Sequence, residues 1–276
     1  MAKYLEPSFM IIGGVKCGSS SLYRYLNAHP MVLPCKSKEP NYFSFRPWYQ
    51  IPFSLHRYKK MYPPRNWKGR WEVDWLDLGQ DEKMHASQFY KEVDANKKYI
   101  TGEATATTFF AVKPVLLHYL YPDLKLIMLL RDPVDRYVSQ YRMYERFKNE
   151  GRQGYNFLPL EAYIEAEIAQ HRAGKKTRIL HQGLYDKYLN AWSKQFGREK
   201  LLLIRTQDLE EVESANREMQ RICTFLNLPA HDFSDILGQK FNRASKREIP
   251  LKIRQSLENF YEDSLKGLER NFSLSL

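Results

Sequence analysis

The sequence predicts an α/β fold, a parallel sheet flanked by helices. Three observations carry the prediction. Short, mostly apolar runs recur at Phe9–Ile12, within Tyr99–Thr105, at Leu124–Leu130 and at Leu201–Ile204, as expected of strands covered on both faces. Segments with helical spacing separate them, an alternation that favours parallel strands joined by crossovers. The first run passes straight into a glycine- and serine-rich loop, Gly13 to Ser21, which aims backbone N–H groups and a helix N-terminus at one spot. No repeat, linker or low-complexity tract divides the chain. Its 276 residues read as one domain, 1–276, large enough for a full core.

Phe9–Ile12 is the first strand. Ser19, Ser20 and Ser21 are expected to supply an N-cap hydroxyl, and Leu22 with Leu26 begins the apolar stripe of the first helix. That helix stops at His29-Pro30, with His29 as its capping residue. Met31–Leu33 is a short strand. Residues 41–80 are loop-rich and dense in aromatics (Tyr42, Phe43, Trp48, Tyr49, Trp67, Trp71, Trp75), and four prolines interrupt them. They form either one wall of an acceptor pocket or a satellite core under a long loop. Residues 83–94 predict a helix. Tyr99–Thr105 is a core strand that ends in a polar Gly102-Glu103-Ala104-Thr105, and 113–121 is a helix. Leu124–Leu130 is the strongest strand, and Arg131 through Tyr141 follows at once, with Pro133 in the first turn of a helix. Residues 159–172 are helical. Residues 184–196 are amphipathic, with a core stripe of Leu184, Tyr188, Trp192 and Phe196. A strand at Leu201–Ile204, a helix at 212–227, a polar loop at 239–248 and a last helix from about Pro250 complete the chain.

The net charge is +11, from 43 basic and 32 acidic residues. Such a surface gathers anions. The basic residues are spread along the chain rather than run together, so no nucleic-acid-binding arm is indicated. No apolar run approaches the ~20 residues that would cross a membrane, and the first strand begins too early for a leader peptide. Cys17, Cys35 and Cys223 are an odd, sparse set without metal spacing. The expectation is a reducing, cytoplasmic setting with no disulfide framework, no metal and no membrane partner.

The loop reads Lys16-Cys17-Gly18-Ser19. A nucleoside-triphosphate P-loop would place its lysine after the last glycine, beside the Ser/Thr that holds magnesium, so the order here argues against a kinase or NTPase. In open α/β sheets ligands bind at the carboxyl ends of the strands. Three such ends are chemically loaded here: Lys16–Ser21, Gly102–Thr105, and Arg131 with Ser139. An arginine fork and a hydroxyl can cradle one terminal phosphate; Arg131-Asp132 can equally be a local ion pair and helix cap.

Together these motifs resemble the PAPS-dependent sulfotransferase superfamily, closest to the heparan-sulfate (carbohydrate) branch and its bacterial relatives. Ile12–Leu22 is similar to the 5′-phosphosulfate loop. Leu129-Leu130-Arg131-Asp132-Pro133 through Ser139-x-Tyr141 is similar to the 3′-phosphate motif, and Gly183-x-Tyr185 through Asp208-Leu209 to the later helix–strand unit. The resemblance implies a P-loop-like sulfotransferase fold, with 3′-phosphoadenosine 5′-phosphosulfate (PAPS) as donor and the bisphosphate PAP as product. It implies that Lys16 contacts the leaving-group side of the sulfuryl group, while Cys17, Gly18, Ser19, Ser20 and Ser21 take the 5′-phosphate. Arg131 and Ser139 take the 3′-phosphate, and Tyr185 belongs to the nucleotide site. Lys246 or Arg247 reaches the phosphates from a covering loop at 239–250. Glu39, in Lys36-Ser37-Lys38-Glu39-Pro40, matches the catalytic base. Two features depart from the branch: Ala104 stands where a lysine is usual, and paired cysteines are absent.

The chemistry is consistent with those roles. Sulfuryl transfer is an in-line displacement at sulfur, analogous to phosphoryl transfer. A base such as Glu39 typically contributes ~10²–10⁴-fold, and Lys16 with the loop amides can stabilise charge on the departing phosphate. Glu39 can instead be a carboxylate paired with Lys36 or Lys38, in which event His118 and His181 are the next bases to test. The acceptor, by hydroxyl or amine, stays open among sugar, small natural product, lipid and phenol. The competing classes are a P-loop nucleotide kinase or NTPase and a non-catalytic anion-binding module.

Overall fold

The computed structural model describes residues 4–44, 48–65, 67–72, 90–94, 96–155, 157–237 and 249–276. The apolar run after Ser8 forms β1 (Phe9–Gly13), and the loop leads into α1 (Ser19–Ala28) and β2 (Val32–Pro34). Next come α2 (Ile51–Lys59), β3 (Gly69–Glu72), β4 (Tyr90–Val93) and β5 (Ile100–Ala104). Two short helices, α3 (Thr108–Ala111) and α4 (Pro114–Leu120), precede β6 (Lys125–Leu130) and α5 (Pro133–Asn149). The chain continues through α6 (Leu160–Arg172), α7 (Tyr185–Phe196), β7 (Leu201–Arg205), α8 (Val212–Leu226), α9 (Ser234–Leu237) and α10 (Leu251–Phe272).

Five strands make a parallel sheet in the order β2-β5-β1-β6-β7. Successive side chains of a strand point to opposite faces. Phe9, Ile11, Ile127 and Leu129 therefore face one core, shared with Leu22, Leu26, Met219 and Ile222 of α1 and α8. Met10, Ile12, Leu126, Met128 and Leu130 face the other, with Tyr58, Leu117, Leu189 and Trp192. A third cluster joins α5, α6 and α10 through Tyr137, Ile164, Leu257 and Tyr261. Strands laid down after β1 go to both sides of it, so a switch point lies beside its C-terminal end, where such sheets open a crevice.

Two expectations are corrected. Within the 83–94 helix prediction, Tyr90–Val93 is a strand, β4, paired antiparallel with β3; the preceding residues of that prediction lie outside the described residues. The pairing is tertiary: Trp71 of β3 is buried, donates Nε1–H to the Pro34 carbonyl at 2.9 Å, and seats the hairpin on the end of β2. Strand partners far along the chain override local helix propensity. The serine cap is also absent. Gly18, in the left-handed region at φ 91°, is the N-cap of α1, and no side chain caps the helix. The aromatics of 41–80 divide. Tyr42, Phe43 and Trp71 are core residues, Tyr42 stacking on Tyr58 at 4.9 Å between ring centroids, whereas Tyr49 is exposed. Trp75 lies outside the described residues, as do Lys246 and Arg247 of the expected covering loop. Cys17, Cys35 and Cys223 are buried and unpaired. Among the described residues no helix is long and apolar enough to cross a membrane.

Candidate active site

A short, tight loop joins β1 to α1. Gly14 N–H donates to the Leu129 carbonyl at 2.7 Å, tying the loop to β6. Gly13 has no room for a side chain, since a Cβ there would lie 2.7 Å from Phe109 Cβ and 3.2 Å from the Ala106 carbonyl oxygen. That close approach brings the end of β5 against the end of β1. With Gly18 as N-cap and no capping side chain, the first amides of α1, at Ser19, Ser20 and Ser21, keep their donors for an incoming anion. Lys16 adopts φ 65°, a conformation uncommon for a residue with a side chain and one that marks functional turns. Its ammonium is held below the usual lysine range, first by burial and then by the positive charges of Arg146, Arg131 and Lys38. Cations crowded together with one of them half-buried are poised for an anion that relieves both penalties.

Arg131 follows β6 directly. Its guanidinium donates to the Lys16 carbonyl at 3.4 Å and reaches Asp135 at 3.8 Å. Asp132 caps α5 by accepting the Asp135 N–H at 2.8 Å. The cap and the weak pair both exist, and they leave the Arg131 fork partly exposed beside Lys16. Asp135 also pairs with Arg254 of α10 at 3.0 Å. Ser139 is four residues beyond Asp135, so it shares that face of the helix. Arg131, Ser139 and Arg254 thus border one corner.

Glu39 lies at the other side. Its Oε1 pairs with Lys38 Nζ at 2.8 Å, and its Oε2 accepts the Ala106 N–H at 3.1 Å. The side chain is 19% exposed, enough for a solute to reach. Lys36 does not join this pair; its ammonium sits 5.3 Å from the Trp71 ring centroid. Behind Glu39, Glu103 is fully buried and accepts O–H donors from Tyr58 and Thr105, each at 2.6 Å. Burial, its largest cause, pushes the Glu103 carboxyl up to about 7. His181 is driven down to about 4, first by burial and then by Lys176 and Arg136, which makes it a weak base at neutral pH. His118 faces Phe196 and Gln195 on the α4–α7 side.

A profile described as the sulfotransferase family matches residues 7–232, most of the chain and all of the site so far described except Arg254. The chain belongs to the sulfotransferase family. Carbohydrate sulfotransferase 15 of Mus musculus is 28% identical over 258 residues, a match spanning 80% of this chain and 44% of that protein. The bifunctional heparan sulfate N-deacetylase/N-sulfotransferase 3 of Homo sapiens is 26% identical over 233 residues, spanning 84% and 23%. The chain covers less than half the length of these curated relatives. A sulfotransferase crystal structure from Alicyclobacillus acidocaldarius superposes with TM-score 0.64 at 22% identity, over 98% of this chain and 97% of that one. A mouse sulfotransferase complexed with PAP superposes with TM-score 0.51 at 12% identity, over 97% and 85%. The α/β fold is that of the sulfotransferases, with its P-loop-like strand, loop and helix.

Within this sulfotransferase fold, two of the residues expected at the cofactor lie behind the loop. The Cys17 side chain is buried 3.8 Å from the Tyr185 hydroxyl, and its N–H donates to the Gly14 carbonyl at 3.1 Å. Tyr185 is buried as well and donates its hydroxyl to the Arg131 carbonyl at 2.9 Å. Both brace the loop against β6 and α7 instead of presenting a polar group to the cleft. A two-residue brace of this kind is invisible in sequence, because 168 positions separate its members. Three residues were missed. Thr206 donates to, or shares its hydroxyl proton between, the carbonyls of Cys17 at 2.8 Å and Leu130 at 3.0 Å; it sits just past β7, where the strand-end rule points. Lys38 carried a signal only as a neighbour of Glu39. Arg254 carried none, since its place depends on how α10 packs on α5.

Proposed function

We propose that this sulfotransferase moves the sulfuryl group of PAPS to a carbohydrate acceptor, with Glu39 as base and PAP as product. The observation that carries the reading is the convergence of four features at the ends of β1, β5 and β6. These are the uncapped N-terminus of α1, the depressed ammonium of Lys16, the exposed fork of Arg131, and the carboxylate of Glu39. They fit a nucleotide that carries anionic groups at both its 3′ and 5′ positions, with an acceptor opposite it. The amides of Ser19–Ser21 would take the 5′-phosphate, and Arg131 with Ser139 the 3′-phosphate. PAPS supplies an activated sulfuryl group on a good leaving phosphate. Lys16 then neutralises charge growing on that phosphate, and the loop amides hold it without reorganising. Glu39 orients the acceptor hydroxyl and accepts its proton as the new sulfur–oxygen bond forms. The relatives' names support a carbohydrate acceptor. A reducing, cytoplasmic setting is part of the same proposal, supported by three buried, unpaired thiols. The order of lysine and glycine in the loop disfavours the kinase alternative.

The test is labelled sulfate transfer from PAPS to a panel of glycans, phenols and sterols. Transfer to a glycan is expected. Glu39→Gln should lower turnover by ~10² or more while PAP affinity, by calorimetry, stays near wild type. A variant with wild-type turnover on the rising limb of the pH profile would move the base elsewhere, and His181 would be the next residue replaced.

A further inference from the structure

Glu103 ends β5 as a buried acid to which the mechanism above gives no task. Its register partner on β1 is Met10, so it points to the sheet face where Tyr58 and Tyr62 pack. Tyr58 donates its hydroxyl to Glu103 Oε1 at 2.6 Å and lies 2.5 Å from the Tyr62 hydroxyl. The other oxygen, Oε2, takes the Thr105 hydroxyl at 2.6 Å. Among the described residues no ion pair includes Glu103; Glu39 is the charged group that bears on it, and Tyr58 and Thr105 are its donors.

The turn beyond Glu103 grips Glu39 twice. Glu39 N–H donates to the Ala104 carbonyl at 3.0 Å, and Ala106 N–H donates to Glu39 Oε2 at 3.1 Å. Glu39 itself sits at φ 54°, and Asn41 Nδ2 donates to its carbonyl at 2.8 Å. A residue with a side chain stays in that region only when its surroundings over-determine it. Thr105, between the two gripping residues, is itself tied at both ends: its N–H to the Ile11 carbonyl at 3.0 Å, its hydroxyl to Glu103.

We propose that Glu103 is a positioning residue for the base: through the Thr105 hydroxyl it sets the Ala104–Ala106 turn, whose carbonyl and amide hold Glu39 in place. The inference rests on the reading of Glu39 as base. Its physical ground is that two hydroxyl donors end on one carboxylate, which alone can accept both without reorienting either. A small displacement of a general base costs rate steeply, even when it arises outside the reacting groups.

The test follows PAPS turnover as PAP release, with the highest-scoring glycan of the panel and with water alone as acceptor. Thr105→Val, Thr105→Ser and Glu103→Leu are compared in the wild-type and Glu39→Gln backgrounds, with PAP affinity measured for each. Thr105→Val should lower kcat by on the order of 10- to 100-fold without changing PAP affinity, and Thr105→Ser should recover most of the loss. In the Glu39→Gln background Thr105→Val should add nothing, because a residue acting through another loses its effect with that partner. Glu103→Leu, which removes the acceptor of the Thr105 hydroxyl, should follow Thr105→Val; if it fails to fold, the threonine pair carries the test. Equal losses in both backgrounds, or wild-type kcat in Thr105→Val beside a slow Glu39→Gln, overturn the inference and leave the base assignment standing. Wild-type turnover in Glu39→Gln overturns both.

Discussion

Replacing Glu103 by glutamine should make the protein more stable at alkaline pH. The carboxyl is fully buried among tyrosines, and its folded-state value lies near 7 against 4.5 for the exposed group. The folded chain therefore holds this proton more tightly than the unfolded chain. Stability is fullest below about 4.5, and it is lost as pH rises through about 7. At roughly 1.36 kcal/mol per pH unit, the gap between the two values amounts to about 3 kcal/mol. Glutamine has no charge to bury. It accepts only one of the two hydroxyl protons, but the Tyr58–Tyr62 contact can reverse its direction so that Tyr58 accepts from the amide instead. Urea unfolding at pH 5 should then find the two proteins within about 1 kcal/mol. At pH 8 the variant should lead by roughly 2–3 kcal/mol. Parallel stability curves across that range would refute the reasoning, since they would mean that Glu103 titrates alike in the folded and unfolded chains. Because its side-chain oxygen can still take the Thr105 hydroxyl, the same variant should keep kcat near wild type, unlike Glu103→Leu.

Arg131→Ala should weaken PAPS binding and erase discrimination against adenosine 5′-phosphosulfate, which lacks the 3′-phosphate. Losing the fork should cost on the order of 2–5 kcal/mol for the donor that has it, and KM for the two donors measures this. Lys16→Ala should lower kcat more than it lowers PAP affinity, because its charge matters most as the leaving phosphate develops. Single-turnover rates beside calorimetry separate the two, and a raised KM with normal kcat would reduce Lys16 to a binding charge.

What was legible in the sequence was local. Four apolar runs, the Gly13–Ser21 loop and the Arg131–Ser139 stretch each carry their signal within a dozen residues, because strand burial, turn geometry and helix starts are set by neighbours in the chain. Six of the predicted helices, from 113–121 to the last, stand where their periodicity put them. Even so, the buried stripe of α7 runs from Tyr185 through Leu189 and Trp192 to Phe196, one residue off the expected start.

Tertiary structure decided the rest. Tyr90–Val93 is a strand because β3 lies beside it, not because its own residues demand one. Tyr185 and Thr206 brace the phosphate loop from far along the chain, and Arg254 reaches Asp135 only because α10 crosses α5. The Lys38 partner of Glu39 was legible as its chain neighbour, but the Ala106 amide that holds its other oxygen, 67 residues away, was not. The environment of Glu103 is likewise tertiary: burial raises its carboxyl, and Tyr58, 45 residues before it in the chain, donates a hydrogen bond that offsets part of that cost. Chain-local chemistry names the groups that can act. Sheet order decides which of them meet, because parallel strands gather their C-terminal ends on one edge whatever their separation in sequence.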